Sequence, residues 1–175
     1  MSELESKAMA FATRHHEAIY HRRKYTDEPY IVHPMAVAEL VRGVPHTEAM
    51  LAAAWCHDTV EDTGVTLEMV AAELGPDVAS LVEMLTDISR LADGNRAIRK
   101  TIDLAHTAKA SPGAKTIKLA DLIDNSASIV ARDPIFARLY IEEKARLLDV
   151  LRDGDASLHA IATEIVVAAR ARRST

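Results

Sequence analysis

Residues 57–63 read His-Asp-Thr-Val-Glu-Asp-Thr and follow an apolar run, Ala-Ala-Ala-Trp, at positions 52–55. The apolar run predicts the buried part of a helix that begins after Thr47 and reaches Asp58 or even Asp62. At about 3.6 residues per turn, a helix continuing to Asp62 would place four side chains in one sector of its surface, those of His57, Asp58, Glu61 and Asp62. Acidic side chains this close repel one another, and at the end of a buried helix they favour a bound cation. A solvated acidic helix end is the alternative, and this stretch alone leaves both readings open.

The rest of the chain has the composition of a helical protein. Of its 175 residues 49% are hydrophobic and only 4% aromatic, and the abundant alanine has the highest helix propensity. Strand-rich sandwiches and barrels favour aromatic and β-branched residues instead. Apolar residues recur at helical spacing between breaks rich in Gly, Pro and Asp, which predicts nine helices. We therefore expect one all-α domain over residues 1–175, a length typical of a single domain.

Charge and cysteine content exclude several classes of protein. The net charge of −5 argues against a general nucleic-acid binder, whose domain is usually basic. No apolar run approaches the ~20 residues of a membrane span, and the N-terminus lacks the features of a signal peptide. The single cysteine, Cys56, cannot form an intramolecular disulfide and fits a reducing compartment. We expect a cytoplasmic protein that binds neither nucleic acid nor membranes, with its oligomeric state left open.

A second polar group lies on the helix predicted for residues 115–131. Asp121, Asp124 and Asn125 are spaced i, i+3 and i+4, so they share one helix face, and Lys118 falls on the same side. These side chains could contribute to a site. An exposed amphipathic face would have the same pattern, so the spacing alone does not separate the two.

The polar groups can be combined into one metal site. The four candidate ligands are His33, His57, Asp58 and Asp121. Two imidazoles and two carboxylates, with no thiolate, suit Mn²⁺, with Zn²⁺ or Fe²⁺ possible. By itself, His33 could equally be a surface residue or a helix cap. Adjacent residues such as His57 and Asp58 do not normally face each other on a helix, so they could share a metal only over the edge between them.

Two basic stretches stand out in the acidic chain. Residues 22–24 read Arg-Arg-Lys, and Arg96, Arg99 and Lys100 form a stripe on a later predicted helix. Such runs are usually solvated. Close to the carboxylates they could instead hold an anion.

Three blocks of the sequence together resemble the HD-domain phosphohydrolases, whose signature is His…His-Asp…Asp. Residues 22–34 read Arg-Arg-Lys-Tyr-Thr-Asp-Glu-Pro-Tyr-Ile-Val-His-Pro, which is similar to the segment ahead of the first metal ligand in the hydrolase domain of RelA/SpoT proteins. Residues 57–63 resemble its HD and ED motifs, and residues 118–125 resemble the block with the last ligand. The resemblance covers about residues 8–151, followed by a predicted C-terminal helix at 156–171. Among these hydrolases the chain is most similar to the small, Mesh1-like alarmone hydrolases, and from its length we expect no synthetase domain.

The resemblance implies a metal-dependent 3′-pyrophosphohydrolase. It would cleave ppGpp to GDP, or pppGpp to GTP, with release of pyrophosphate, and would use Mn²⁺ at the four candidate ligands. Glu61 and Asp62 would be the catalytic acidic pair that orients or deprotonates the attacking water. The implied substrate contacts are Arg23 and Lys24 to the base and phosphates, Lys100 to a phosphate, Asn125 near the sugar or phosphate, and Tyr140 beside the base.

The chain departs from the family pattern at three places. Asp27 stands where many relatives carry Gly, Trp55-Cys56 replaces a pair of aliphatic residues, and Asp124 replaces a frequent His or Tyr. One alternative function is the same chemistry on another nucleotide, such as an NADPH 2′-phosphatase. A non-catalytic nucleotide sensor is the other, and it is disfavoured because every expected ligand and both acidic residues are present.

Overall fold

Helices provide the regular structure of residues 1–171, the part of the chain that the computed structural model describes. The α-helices of this part are α1 (Glu3–Ala18), α2 (Val32–Arg42), α3 (Glu48–Cys56), α4 (Thr59–Asp62), α5 (Leu67–Leu74), α6 (Pro76–Leu85), α7 (Arg96–Thr107), α8 (Pro112–Arg132), α9 (Pro134–Val150) and α10 (Ala156–Ala171), with a 3₁₀ turn at Leu91–Asp93. Arg22 and Pro29 form an isolated antiparallel bridge. The all-α prediction is therefore confirmed. No helix within these residues combines the length and the apolar character needed to cross a membrane.

The first of two compact units spans Met1–Thr86 and is built around α3. Residues 50–56 of this helix are all buried, because α3 packs against α1, α2 and α6. A helix that is apolar on every side requires such an environment. Its start is fixed by Thr47, whose hydroxyl accepts a hydrogen bond from the amide of Met50 at 3.2 Å and so satisfies one of the free donors of the first turn.

The Trp55-Cys56 pair is part of this core. The indole Nε1 of Trp55 donates to Oε1 of the fully buried Glu5 at 3.1 Å, and the same carboxylate pairs with Arg42. Cys56 is completely buried, with its Sγ 3.7 Å from the carbonyl oxygen of Ala8. Burial raises the pKa of the Cys56 thiol well above its usual range. The pair that stands in place of aliphatic residues therefore packs next to the buried group of Glu5 and Arg42.

The third helix ends earlier than the sequence predicts. It stops at Cys56, and α4 begins separately at Thr59. Two side chains satisfy the carbonyl groups that the helix end leaves free: the Thr59 hydroxyl donates to Cys56 O at 2.7 Å, and the His57 Nδ1 lies 2.8 Å from Ala54 O. The expectation of a helix continuing through Asp58 is therefore wrong. His57 and Asp58 form the link between the two helices, with φ of −57° and −100°.

The second unit begins at Asp87. Within it, α8 packs against α9 and α10, and α7 packs against α9. Gly154 lies so close to α8 that a Cβ there would come within 3.1 Å of the Thr116 backbone nitrogen, which explains glycine at this position. The expectation that residues 1–175 form one domain stays a prediction.

Candidate active site

Three of the four predicted metal ligands meet in the first unit. The His57 Nε2 atom lies 3.2 Å from Nε2 of His33 and 3.0 Å from Oδ2 of Asp58. His33 Nε2 lies 3.5 Å from the same carboxylate oxygen. Both imidazoles are buried, whereas the Asp58 side chain is 16% exposed. All three ligand atoms lie within 4.8 Å of one another, which is close enough for one ion to bind all three.

Local structure aims these side chains at one point. His33 sits in the first turn of α2, where its amide donates to the carbonyl of Tyr30 at 2.9 Å, and His57 directly follows α3. The contact of His57 Nδ1 with Ala54 O needs a proton on Nδ1, because a carbonyl can only accept a hydrogen bond. Nε2 of the neutral ring is then left with its lone pair directed at the cluster, as metal binding requires.

The electrostatics of the cluster also fit a cation. Burial alone would raise the pKa of Asp58, but His57 and His33, in their protonated forms without a metal, lower that pKa well below its ordinary value through their charge and hydrogen bonds. The carboxylate is therefore anionic at neutral pH. Two ring nitrogens 3.2 Å apart with a carboxylate oxygen beside them form a donor set of the kind that binds borderline or hard divalent metals. The residues present thus match the divalent metal that this type of site implies.

The predicted acidic pair lies on the short helix α4. The Asp62 amide donates to Asp58 O at 3.0 Å, which ties the helix to the cluster. Partial desolvation and the neighbouring charge of Asp58 raise the pKa of Asp62, while His21 and a hydrogen bond with Tyr30 oppose the shift. Glu61 and Asp62 both expose their side chains, so they can meet a water or a ligand that approaches from solvent.

The predicted basic contacts Arg23 and Lys24 lie in the loop between α1 and α2. The loop folds back on itself, since the Arg23 amide donates to Glu28 O at 2.9 Å. At its turn Asp27 has a φ of 58°, in the left-handed region that glycine adopts without strain. This explains why glycine is suited to this position, and aspartate is among the residues that tolerate it. The departure at Asp27 therefore changes the residue and keeps a turn that glycine would also form.

Three residues that sequence reasoning missed also belong to this site. The Tyr30 hydroxyl donates to Oδ2 of Asp58 at 2.5 Å. The ring of His21 stacks on Tyr30, with centroids 3.7 Å apart and planes inclined by 8°. His21 Nδ1 in turn lies 3.0 Å from Nδ1 of His16, a buried histidine whose pKa is lowered to about 4, mainly by desolvation. The position of Tyr30 one helical turn before His33 was the available signal.

Asp121, the fourth predicted ligand, lies on α8 of the second unit. Its side chain is buried and accepts a hydrogen bond from the Asn125 amide at 2.6 Å. Lys118 Nζ is 3.7 Å from its other carboxylate oxygen. The helical spacing therefore brings these three side chains together as the sequence predicts, while Asp124 is half-buried on the same helix.

The second unit also contains a cavity of about 450 Å³. Predicted substrate residues Lys100 and Tyr140 both line it, and so does Arg96. Lys100 Nζ lies 2.5 Å from Asp87 Oδ2. Lys144, which the sequence reasoning overlooked, lies over the Tyr140 ring at 4.9 Å, and burial lowers its pKa. The cavity thus combines aromatic surface with cationic groups and with acidic side chains that pair with some of them, such as Glu143 with Arg96 at 2.8 Å.

Comparison with known sequences points to one family. The model of the family described as "HD domain" matches residues 8–133. The guanosine-3′,5′-bis(diphosphate) 3′-pyrophosphohydrolase MESH1 of Homo sapiens is 40% identical over 123 residues, which are 68% of this chain and 65% of the relative. A probable GTP pyrophosphokinase of Mycobacterium leprae is 42% identical over 99 residues, or 56% of this chain and 13% of the relative. The chain thus spans less than two thirds of the length of these curated relatives.

Solved structures show the same fold. A metazoan orthologue of SpoT, described as hydrolysing ppGpp and playing a role in starvation responses, superposes with a TM-score of 0.83 at 31% identity, covering 94% of both chains. The lmo0812 protein of Listeria monocytogenes superposes with a TM-score of 0.66 at 23% identity, covering 82% of this chain and 99% of that one. The SpoT orthologue is similar to this chain in both fold and sequence. The lmo0812 protein supports the fold alone.

Proposed function

The chain belongs to the HD domain family, and from that premise we propose that it is a metal-dependent (p)ppGpp 3′-pyrophosphohydrolase. It would convert ppGpp and water to GDP and pyrophosphate, and pppGpp to GTP and pyrophosphate. The observation that carries the proposal is the convergence of His33, His57 and Asp58 directly ahead of the exposed acidic pair on α4. Relatives that are 39% and 40% identical in sequence are named as guanosine-3′,5′-bis(diphosphate) 3′-pyrophosphohydrolases.

The metal is best assigned as Mn²⁺. His33, His57 and Asp58 would hold it, and Asp121 would be the fourth ligand, an assignment supported by its burial and by a family match that spans residues of both units. When bound, such a cation supplies a Lewis acid that acidifies water and neutralises phosphoryl charge. Nitrogen and oxygen ligands without a thiolate suit Mn²⁺, and Zn²⁺ or Fe²⁺ could bind the same donor set.

The acidic pair would perform the proton transfer. Glu61 or Asp62 would align the attacking water and take its proton, a role that general bases fill with rate gains of roughly 10²–10⁴. The raised pKa of Asp62 is in keeping with this role, because a stronger base holds the proton more readily. The exposure of both side chains allows the substrate to reach them.

The substrate would be held by its charge and by its base. Arg23 and Lys24 would contact the guanine base and phosphates, and Lys100 a phosphate. Asn125 would lie near the sugar or a phosphate, and Tyr140 would pack beside the base. The support for Lys100 and Tyr140 is that both line the cavity of the second unit, where an aromatic ring and lysine ammonium groups are combined.

Metal removal and product identification test the proposal. We expect chelated, metal-stripped protein to release no pyrophosphate from ppGpp, and Mn²⁺ to restore GDP and pyrophosphate in equal amounts. NADPH, assayed side by side, measures the alternative 2′-phosphatase activity. Full hydrolysis of ppGpp by metal-free protein, or turnover of NADPH but not ppGpp with Mn²⁺ present, would contradict the proposed function.

A further inference from the structure

The side chain of Tyr30 touches one candidate metal ligand and its backbone fixes a second. Its hydroxyl donates to Asp58 Oδ2 at 2.5 Å. Its carbonyl accepts the amide of His33 at 2.9 Å at the start of α2, and the two rings meet edge to face with centroids 5.7 Å apart. A single residue thus links two of the three ligands, although 28 positions in sequence separate it from Asp58.

The oxygen that Tyr30 touches is the one that faces the imidazoles. Asp58 Oδ2 lies 3.0 Å from His57 Nε2 and 3.5 Å from His33 Nε2. A carboxylate oxygen has more than one lone pair, so a hydrogen bond from Tyr30 leaves another for a cation. Without that bond the carboxylate would lose a hydroxyl donor, and its position would depend on its contacts with His57 and His33.

Tyr30 is itself clamped by two histidines. Its amide donates to His21 O at 3.0 Å, and the two rings stack in parallel 3.7 Å apart. The plane of His21 is set in turn by His16, since one of the two Nδ1 atoms 3.0 Å apart must donate a proton to the other. His16 is buried at the end of α1, so this chain of contacts is anchored in the core.

We infer that Tyr30 is a positioning residue for the metal ligands Asp58 and His33, held in place by the His16–His21 pair. This inference rests on the proposed function for its catalytic meaning, but its geometry concerns the metal cluster alone. Residues that orient metal ligands from behind typically contribute about 10–100-fold to metal affinity. The same contacts hold the start of the loop that bears Arg23 and Lys24, which lie two and three positions after His21.

Metal affinity without nucleotide is the decisive measurement. Calorimetric titration of chelator-treated protein with Mn²⁺ should give an affinity about 10–100-fold weaker for Tyr30→Phe than for the parent. The variant keeps the aromatic ring and removes only the hydroxyl. The matched control is Tyr20→Phe, which removes a hydroxyl from a tyrosine that is 88% exposed in the same segment and should bind Mn²⁺ as the parent does. An affinity of Tyr30→Phe within twofold of the parent overturns the inference.

A second readout separates positioning from a general structural defect. If Tyr30 acts through the metal ligands, raising the Mn²⁺ concentration should restore most of the kcat for ppGpp in Tyr30→Phe. A loss of kcat that saturating Mn²⁺ leaves unchanged would assign the effect of Tyr30 to its hydrogen bond with Asp62 and contradict this route. His21→Ala, which leaves every polar partner of Asp58 in place, should weaken Mn²⁺ binding as well, and it serves as the test if Tyr30→Phe does not fold. If the parent binds Mn²⁺ but leaves ppGpp intact, the proposed function fails while the affinity comparison remains valid.

Discussion

At the scale of single residues, the Oδ2 atom of Asp58 is where the polar groups of the first unit converge. The ring nitrogens of His33 and His57 approach it from one side and the hydroxyl of Tyr30 from another. Since the pKa of Asp58 is held well below its ordinary value, the oxygen carries negative charge at neutral pH. The same residue accepts the Tyr30 hydrogen bond and, as a metal ligand, would also be a donor to the proposed cation.

Separate roles for Asp58 and Glu61 can be distinguished by two substitutions. We expect Asp58→Ala to lose both bound Mn²⁺ and ppGpp hydrolysis, because it removes a ligand. Glu61→Ala should keep the metal but lose about 10²–10⁴-fold in kcat, because it removes one member of the proposed acidic pair that aligns and deprotonates the water. Metal analysis and steady-state kinetics on the same preparations measure both quantities.

The control for this comparison is Glu68→Ala, which removes an exposed carboxylate from the first turn of α5 and should leave metal content and turnover unchanged. Glu61→Ala that hydrolysed ppGpp at the parental rate would show the acidic pair to be wrongly assigned.

Residue chemistry was predictable where ligands lie in sequence motifs. The sequence motifs predicted that His33, His57 and Asp58 share one site, and the structure brings these three side chains together, while their role as metal ligands stays a prediction. Tyr30 was not predicted to lie there, because its contact with Asp58 depends on how the loop after α1 folds back. Lys144 was missed for a different reason: a lysine four residues after Tyr140 looks like any solvated helical residue until the cavity around it is seen.

At the scale of elements, one buried carboxylate joins three helices of the first unit. Glu5 on α1 pairs with Arg42 on α2 and accepts the indole N–H of Trp55 on α3 at 3.1 Å. Glu5 is fully buried, so its charge is tolerable only while these partners remain. Trp55 stands two positions before His57. The network around Glu5 and the candidate ligand His57 therefore involve neighbouring residues of the chain.

Loss of the arginine should therefore be costly. We expect Arg42→Ala to lower the free energy of unfolding by about 3 kcal/mol, because it leaves a buried carboxylate without its cation. Urea unfolding followed by circular dichroism measures the change. Arg14→Ala is the matched control, since Arg14 pairs with Glu73 across an exposed surface and such pairs contribute about 1 kcal/mol or less.

The Glu5–Arg42 pair should also make the stability of the protein depend on pH. The hydrogen bond from Arg42 lowers the pKa of Glu5 below its ordinary value of 4.5, against an opposing effect of burial. A carboxyl group whose pKa is lowered by folding stabilises the protein above its unfolded pKa, and that contribution disappears as the pH falls through the folded value. The stability difference between parent and Arg42→Ala should thus shrink as the pH drops below 4.5. A difference that stays constant down to acid unfolding would contradict the assignment.

Elements were predicted well except at the site. Capping residues, prolines and glycines mark most helix ends, and the last helix was placed at 156–171 as the structure has it. The break between α3 and α4 was missed, because nothing in the apolar spacing reveals it. It depends on His57 and Thr59 turning their side chains back to the carbonyl groups of α3. With a continuous helix, His57 and Asp58 were expected to share one ion only over the edge between them.

At the scale of the whole molecule, metal binding should be visible as stability. Part of the net charge of −5 sits in the cluster and its acidic neighbours, and a cation there binds the folded chain only. Mn²⁺ at 100 times its dissociation constant would add about 2.7 kcal/mol. For a chain of this length that corresponds to roughly 2–4 °C for each kcal/mol. Thermal unfolding with and without Mn²⁺ measures the shift.

Two variants sharpen this measurement. Asp58→Ala should show no Mn²⁺-dependent shift in Tm, whereas Asp149→Ala, which removes a carboxylate that is 70% exposed in the second unit, should shift as the parent does. Equal shifts in all three proteins would mean that manganese acts on the general surface charge.

The burial of Cys56 has a practical consequence for spectroscopy. The chain contains no other cysteine, and this thiol is shielded from solvent and kept protonated inside α3. Maleimide and methanethiosulfonate reagents need an accessible thiolate. A cysteine introduced on the surface would therefore be the one position to carry a fluorophore or spin label. Cys56 would not have to be replaced first. The loop that bears Arg23 and Lys24 could be followed in this way as metal and nucleotide are added.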